Sequence, residues 1–262
     1  NHNLMEEIVI ADFLIVLYVF VRVLSMFVAA PVFSNASIPA LGKIFLAMVI
    51  AYITFLTINK TNLVLDVNLY SIVFNVIKEI ITGYIMGFML NFVFMAISYA
   101  GHFIGFNMGL MFAEVLNPFE ETSGNIMGDV VYYGAMMIFI LINGHHYLIQ
   151  GVVASFSVVP IGKYAITQPL IDLLIKYSLS VFTIAVKIAS PILVSFFLIN
   201  IAEGIIARVI PNIQVFFITQ PLKIGVGLIL MASLIPIYMY MIKILLQGYQ
   251  DKLTEIINAM SV

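Results

Sequence analysis

Long apolar blocks separated by breaks constrain this chain most. The stretch LGKIFLAMVIAYITFLTI, residues 41–58, carries Lys43 as its one charge. A bilayer crossing takes about 20 mostly apolar residues in a helix, and six blocks approach or exceed that length. They lie near 8–30, 41–58, 69–100, 126–142, 177–203 and 213–246. A seventh stretch, 145–160, reads as a short extra helix or a re-entrant piece. The expected fold is all-α, an integral membrane protein. Charge scarcity agrees: 9% of the residues are charged and 63% hydrophobic, against about 25% charged in a soluble domain. Such a chain lacks the polar groups to cover a water-facing surface, so much of it faces membrane lipid or other apolar protein.

The pattern is not that of a plain lipid-bathed bundle. Block lengths are irregular, and 9 prolines and 16 glycines interrupt them. The blocks also hold Asp12, Arg22, Lys78, Glu79, Asp129, Lys187 and Glu203. Ionisable groups are costly in hydrocarbon and face a bundle interior or a wet cavity. Broken helices need neighbours to satisfy the backbone groups they free. Both features imply packing into a larger assembly. The block near 69–100 is too long for one simple span and carries the small-residue pair Gly83 and Gly87.

Several function classes drop out. A net charge of -2 leaves no basic footprint for nucleic acid. The absence of cysteine excludes disulfides and thiolate sites. The first block follows Glu6 and Glu7 rather than a basic segment, so it is expected to be retained and not cleaved. Lys and Arg are nearly balanced over alternate connections, so they give no membrane orientation. No serine, histidine and acid are spaced as a catalytic set, and no cofactor is expected.

Three motifs remain. The first is INGHHYLIQ, residues 142–150. His145 and His146 invite a metal or proton-relay reading. Adjacent helical residues point about 100° apart, so they do not readily share an ion, and no metal site is expected. A relay stays open because histidine titrates near neutral pH. The plainer reading is a structural turn in which Asn143 and Gly144 end a helix and the imidazoles satisfy nearby carbonyls.

The second is AGHFIGFNMGLMFAEVLNPFEETSGN, residues 100–125. Gly101, Gly105 and Gly109 recur every four residues and form a stripe for close helix packing. Around them stand Phe103, Phe106, Met108, Met111 and Phe112, then Pro118 as a stop. Methionine fills irregular gaps, and apolar constrictions can close a conduit by excluding water. The segment is either a tight helix contact followed by a loop or a deformable seal.

The third is IAEGIIARVIPNIQVFFITQPLKIGVG, residues 201–227. Glu203, Arg208 and Lys223 punctuate it, and Pro211 and Pro221 are expected to break the helix on both sides of NIQVFFIT. Broken helices build transporter sites. A rigid charged elbow of a helical hairpin is the alternative.

In order and spacing, GHFIGFNMGLMFAEVLNP from Gly101, IFILINGHHYLIQGVVASFSVVPIG from Ile138 and PILVSFFLINIAEGIIARVIPNIQVFFITQPLKIGVGL from Pro191 resemble the FliR/SctT family of type III export-gate proteins. The double histidine and SFSVVPIG are similar to the flagellar branch. The resemblance implies a subunit that joins FliP and FliQ homologues, meets FlhB, and forms the gate through which unfolded export substrates enter, at the flagellar basal body in the bacterial inner membrane. It implies a FliP-like part over 1–170 and a FliQ-like helical hairpin over 171–262. It implies a plug loop over 106–123, with Phe106, Met108, Gly109, Met111, Phe112 and Pro118 as gate residues. It implies no enzymatic activity. Two competitors remain: a secondary transporter coupled through Lys78, Glu79, Lys187 and Glu203, and a membrane enzyme using His145 and His146.

Overall fold

A computed structural model describes residues 2–58, 68–110, 126–210 and 215–260, with side chains omitted at 2–8, 216 and 217. All regular structure among the described residues is helical. In chain order the helices are α1 (His2–Ala29), α2 (Pro31–Ser34), α3 (Ala40–Thr57), α4 (Leu69–Met108), α5 (Ile126–Leu141), α6 (Gly144–Val158), α7 (Gln168–Val209), α8 (Val215–Gln247) and α9 (Tyr249–Ala259). Five described helices are long and apolar enough to cross a membrane, or six if the bent pair α5–α6 counts as one span. The chain is an all-α membrane protein.

The long helices run past the expected blocks. α4 continues unbroken to Met108, and α7 spans Gln168–Val209. The expected break at Pro221 does not occur: α8 passes through both Pro221 and Pro236, and Pro211 lies outside the described residues. Proline removes one backbone bond and crowds the carbonyl four residues back. In apolar surroundings, local side chains and neighbouring helices make good that loss. Pro191 inside α7 shows how: it frees the carbonyl of Lys187, which accepts the Ser190 hydroxyl at 2.8 Å.

Two compact units form from non-consecutive segments. Unit 1 comprises Asn1–Phe92, Asn143–Tyr177 and Gln247–Val262. Its core joins Tyr18, Val19, Val23 and Met26 of α1 to Ala47, Ile50 and Ala51 of α3. The Gly83 and Gly87 pair is where α4 meets the backbone of α1. A Cβ on Gly83 would fall 2.1 Å from the Arg22 carbonyl oxygen, and one on Gly87 2.4 Å from that of Met26. The short α9 is amphipathic, burying Tyr249, Leu253, Ile256 and Ile257 and exposing Gln250, Asp251, Thr254 and Glu255. Leu253 packs into the space left by Gly151 of α6, and the Tyr249 hydroxyl donates to the Met86 carbonyl at 2.9 Å.

Unit 2 comprises Val93–Ile142 and Ser178–Leu246. Phe94 sits at its centre, edge-on to Tyr132 and Phe139 with ring centres 5.5 and 5.8 Å away. Ala185, Ala189, Ile192 and Phe196 of α7 complete the buried layer.

Candidate functional site

Unit 2 holds both ends of the segment singled out as a candidate seal. α4 ends in a left-handed residue, Gly109, at φ +79°. The Leu110 N–H donates to the Gly105 carbonyl at 3.1 Å and the Gly109 N–H to that of Phe106 at 3.0 Å. This pair of bonds is the Schellman closure of a helix C-terminus, which favours glycine at the left-handed position. The expected glycine stripe therefore stays helical at Gly101 and Gly105 and turns out of the helix at Gly109.

The closure seats the helix end on α8. Met108 is fully buried, and its side chain fills the space in front of Gly227, lying 2.6–2.9 Å from where a Cβ would stand. The Gln220 side chain lies against Gly109. Phe106 is 65% exposed and turned away from this contact. On the far side of the segment, Gly101 meets α5 backbone to backbone. A Cβ there would sit 2.5 Å from the Met127 carbonyl oxygen and 2.7 Å from the Gly128 Cα. His102 covers Gly128 in turn, its Nδ1 2.8 Å from the Ser98 carbonyl oxygen. Met111, Phe112 and Pro118, expected as gate residues, lie outside the described residues, as does 111–123 of the candidate plug loop.

The hairpin elbow is a second polar feature of unit 2. Glu203 on α7 is ion-paired with Lys223 on α8 and accepts the Thr219 hydroxyl. The two charged side chains are 16% and 10% exposed. Arg208 is exposed near the end of α7. Glu203 thus finds its cation across the hairpin rather than at Arg208 on its own helix.

Arg22, Lys78 and Glu79, marked in the sequence as charges inside apolar blocks, come together in a pairing that the sequence did not show. In unit 1, Arg22 and Glu79 have no exposed side-chain surface, with Nε 2.5 Å from Oε2. The guanidinium also donates to Ser155 Oγ at 2.9 Å and to the Val159 carbonyl at 3.1 Å, and stacks over the Phe156 ring at 3.9 Å. The other Glu79 oxygen accepts the Gly162 N–H at 2.9 Å, while Lys78 Nζ donates to the Gly162 carbonyl at 2.8 Å. Every polar atom of this cluster has a partner, as burial at low dielectric demands. It joins α1, α4 and the turn after α6.

The histidine motif follows α5 and opens α6. Asn143 is left-handed at φ +58° and Gly144 opens α6. The rings of His145 and His146 lie 4.2 Å apart, centre to centre. His145 Nδ1 is buried without a hydrogen-bond partner, so the expected satisfaction of a carbonyl is not met there. Among the described residues, no three His, Cys, Asp or Glu side chains cluster as a metal site would require.

The family model for bacterial export proteins, family 1, matches residues 13–248. The chain belongs to that family. It is 30% identical over 219 residues to the flagellar biosynthetic protein FliR of Bacillus subtilis strain 168, covering 82% of this chain and 83% of that protein. It is 28% identical to the Escherichia coli K12 protein of the same name, covering 82% of each. The Aquifex aeolicus strain VF5 protein of that name is 26% identical, covering 89% of this chain and 90% of its own length. The match to this bacterial export family takes in the glycine–methionine end of α4, the double histidine and the charged hairpin alike.

Proposed function

We propose that this chain is a component of the flagellar export apparatus, and within it a structural and gating subunit of the type III export gate. In this reading it joins FliP and FliQ homologues in the inner membrane, contacts FlhB, and helps form the channel entrance for unfolded export substrates. Residues 1–170 act as the FliP-like part and 171–262 as the FliQ-like hairpin; the division falls in the first turn of α7. The chain performs no catalysis. It builds part of the conduit and seals it with residues 106–123.

Family membership supports the export role, and one observation favours the seal. The segment leaving α4 starts from an anchor, Met108 and Gly109 seated on α8, and returns to a second anchor, Met127 and Gly128 seated on Gly101. A plug held at both ends can deform between them without detaching. Gate residues Phe106 and Met108 divide the work: Met108 anchors, and Phe106 is presented outward. The transporter reading gains nothing from the geometry. Glu79 and Glu203 each already hold a cation, Lys78 holds a backbone carbonyl, and Lys187 is exposed.

The test is co-expression with FliP and FliQ homologues from the same genome, followed by detergent extraction, affinity purification and native mass measurement. One discrete complex containing all three proteins is expected. A chain that purifies alone as a stable monomer or homodimer overturns the reading.

A further inference from the structure

The elbow and the anchor of the candidate seal meet on one face of α8. Gln220, Lys223 and Gly227 stand three and four residues apart, so they form a single stripe along the helix. The two outer positions carry the end of α4: Gln220 lies against Gly109, and Gly227 receives the Met108 side chain. Lys223 stands between them, and Glu203 reaches it from α7. Glu203 also accepts the hydroxyl of Thr219, one turn before Lys223. All of these residues belong to unit 2.

This turn of α8 needs support from outside itself. Pro221 lies between Thr219 and Lys223 and removes the backbone bond that would reach the Phe217 carbonyl. The Gln220 amide nitrogen is buried without a hydrogen-bond partner, so its contact with Gly109 works by fit. A seat made by fit is only as well placed as the helix that carries it. We propose that Glu203 and Lys223 are positioning residues for the seal: their pairing across α7 and α8 holds the Gln220–Gly227 face where the end of α4 seats on it. The consequence, a closed conduit, rests on the gate reading; the seat itself does not. Removing Lys223 leaves a mostly buried carboxylate uncompensated. Water drawn to that charge parts α7 from α8 beside the seat.

The test uses the full chain purified from cells that co-express FliP and FliQ homologues. The chain has no cysteine, so Phe106→Cys gives one site for a nitroxide label, at an exposed position beside the seat. Met137→Cys, exposed on α5, labels unit 2 on another helix. The same preparation without either cysteine gives the background. Electron paramagnetic resonance reads the nanosecond motion of the label. Lys223→Met is expected to raise the fast-moving population at 106 severalfold and to leave 137 unchanged. Lys223→Gln keeps a donor toward Glu203 without the charge; it should give a smaller rise, and it carries the test if Lys223→Met fails to accumulate. Glu203→Leu/Lys223→Met should return 106 to the wild-type signal, since no charge is left unpaired. Unchanged motion at 106 in both Lys223 variants overturns the proposal. So does an equal rise at 106 and 137, which a general loosening would give. Cells with Lys223→Met in assembled complexes should also leak small ions. Raised motion at 106 without a leak keeps the seat and overturns the gating role of 106–123 instead.

Discussion

Arg22 and Glu79, 57 positions apart in the chain, meet in the interior of unit 1 with neither side chain exposed. Breaking a buried pair by removing one partner leaves an uncompensated charge and costs about 3–5 kcal/mol. Arg22→Leu and Glu79→Gln should each sharply reduce the amount of folded chain in the membrane and lower the melting temperature of the extracted complex. Ser155→Ala removes the hydroxyl that accepts from Arg22 and donates to the Val152 carbonyl, and should cost about 1–3 kcal/mol. The double variant Arg22→Met/Glu79→Leu should recover most of the loss, because apolar residues of similar volume often replace a buried pair well. A double variant as unstable as the singles would show that the charges themselves, rather than the filling of that space, are required.

The close-packed glycines separate into hard and soft contacts. Gly101 faces the backbone of Met127 and Gly128, which no rotamer change can move. Gly227 faces the flexible end of Met108, and Gly134 faces nothing. Alanine at Gly101 should therefore cost about 1–3 kcal/mol by overpacking, with Gly227→Ala milder and Gly134→Ala near neutral. Complex yield and melting temperature for the three variants check the ranking. Equal losses at all three positions would contradict it.

At Gly109 two effects compete. A side chain there would strain the left-handed backbone at φ +79° and would also strike Gln220. The Gln220 amide nitrogen has no hydrogen-bond partner, so moving it breaks nothing. The backbone term, about 1–2 kcal/mol, should dominate. Gly109→Ala should destabilise by that amount, and adding Gln220→Ala should not rescue it. Rescue, seen as a recovered melting temperature, would mean that the steric clash dominates instead.

How much of this was readable in advance follows from what each feature depends on. The apolar blocks mark the spans because burial in lipid is a local property of composition. Gly83 and Gly87 stood out only as a small-residue pair in the long block; their contact with the α1 backbone emerged with the fold. The partner of Arg22 was not readable, since Glu79 reaches it only once α1 lies along α4. Glu203 stood nearer in sequence to Arg208 yet pairs with Lys223, because the hairpin sets distance across helices and not along one. Proline breaks a soluble helix, but that rule weakens where neighbours satisfy freed carbonyls, and α8 runs through Pro221. Met108 and Gly109 stand out in the sequence, but their separate roles as anchor and turn come only from the seat on α8.

The seal itself can be tested by removal. Deleting 106–112 takes away Phe106, the Met108 anchor and the Gly109 turn together. In assembled complexes it should make cells permeable to small ions while leaving the three-protein complex intact. Phe106→Ser, at an exposed position, should leave assembly and stability unchanged and give a smaller leak. Ion-dependent loss of membrane potential, measured in cells with verified assembly, reads both variants. An assembled deletion variant with wild-type permeability would remove the gating role from this segment.

The elbow offers a test of structure against coupling. Lys223→Met deletes the cation that faces Glu203 across α7 and α8, leaving the carboxylate with Thr219 alone. Losing a charge-assisted hydrogen bond at a mostly buried position costs about 1.5–3 kcal/mol. Glu203→Gln should be milder, because the amide oxygen still accepts from Thr219 or Lys223. If the pair only fixes the hairpin, the double variant Glu203→Leu/Lys223→Met should restore both complex yield and export of flagellar subunits. If the pair carries protons or ions, yield should return without export. Measuring secreted flagellin against assembled complex in the double variant separates the two, and the hairpin geometry predicts that both return together.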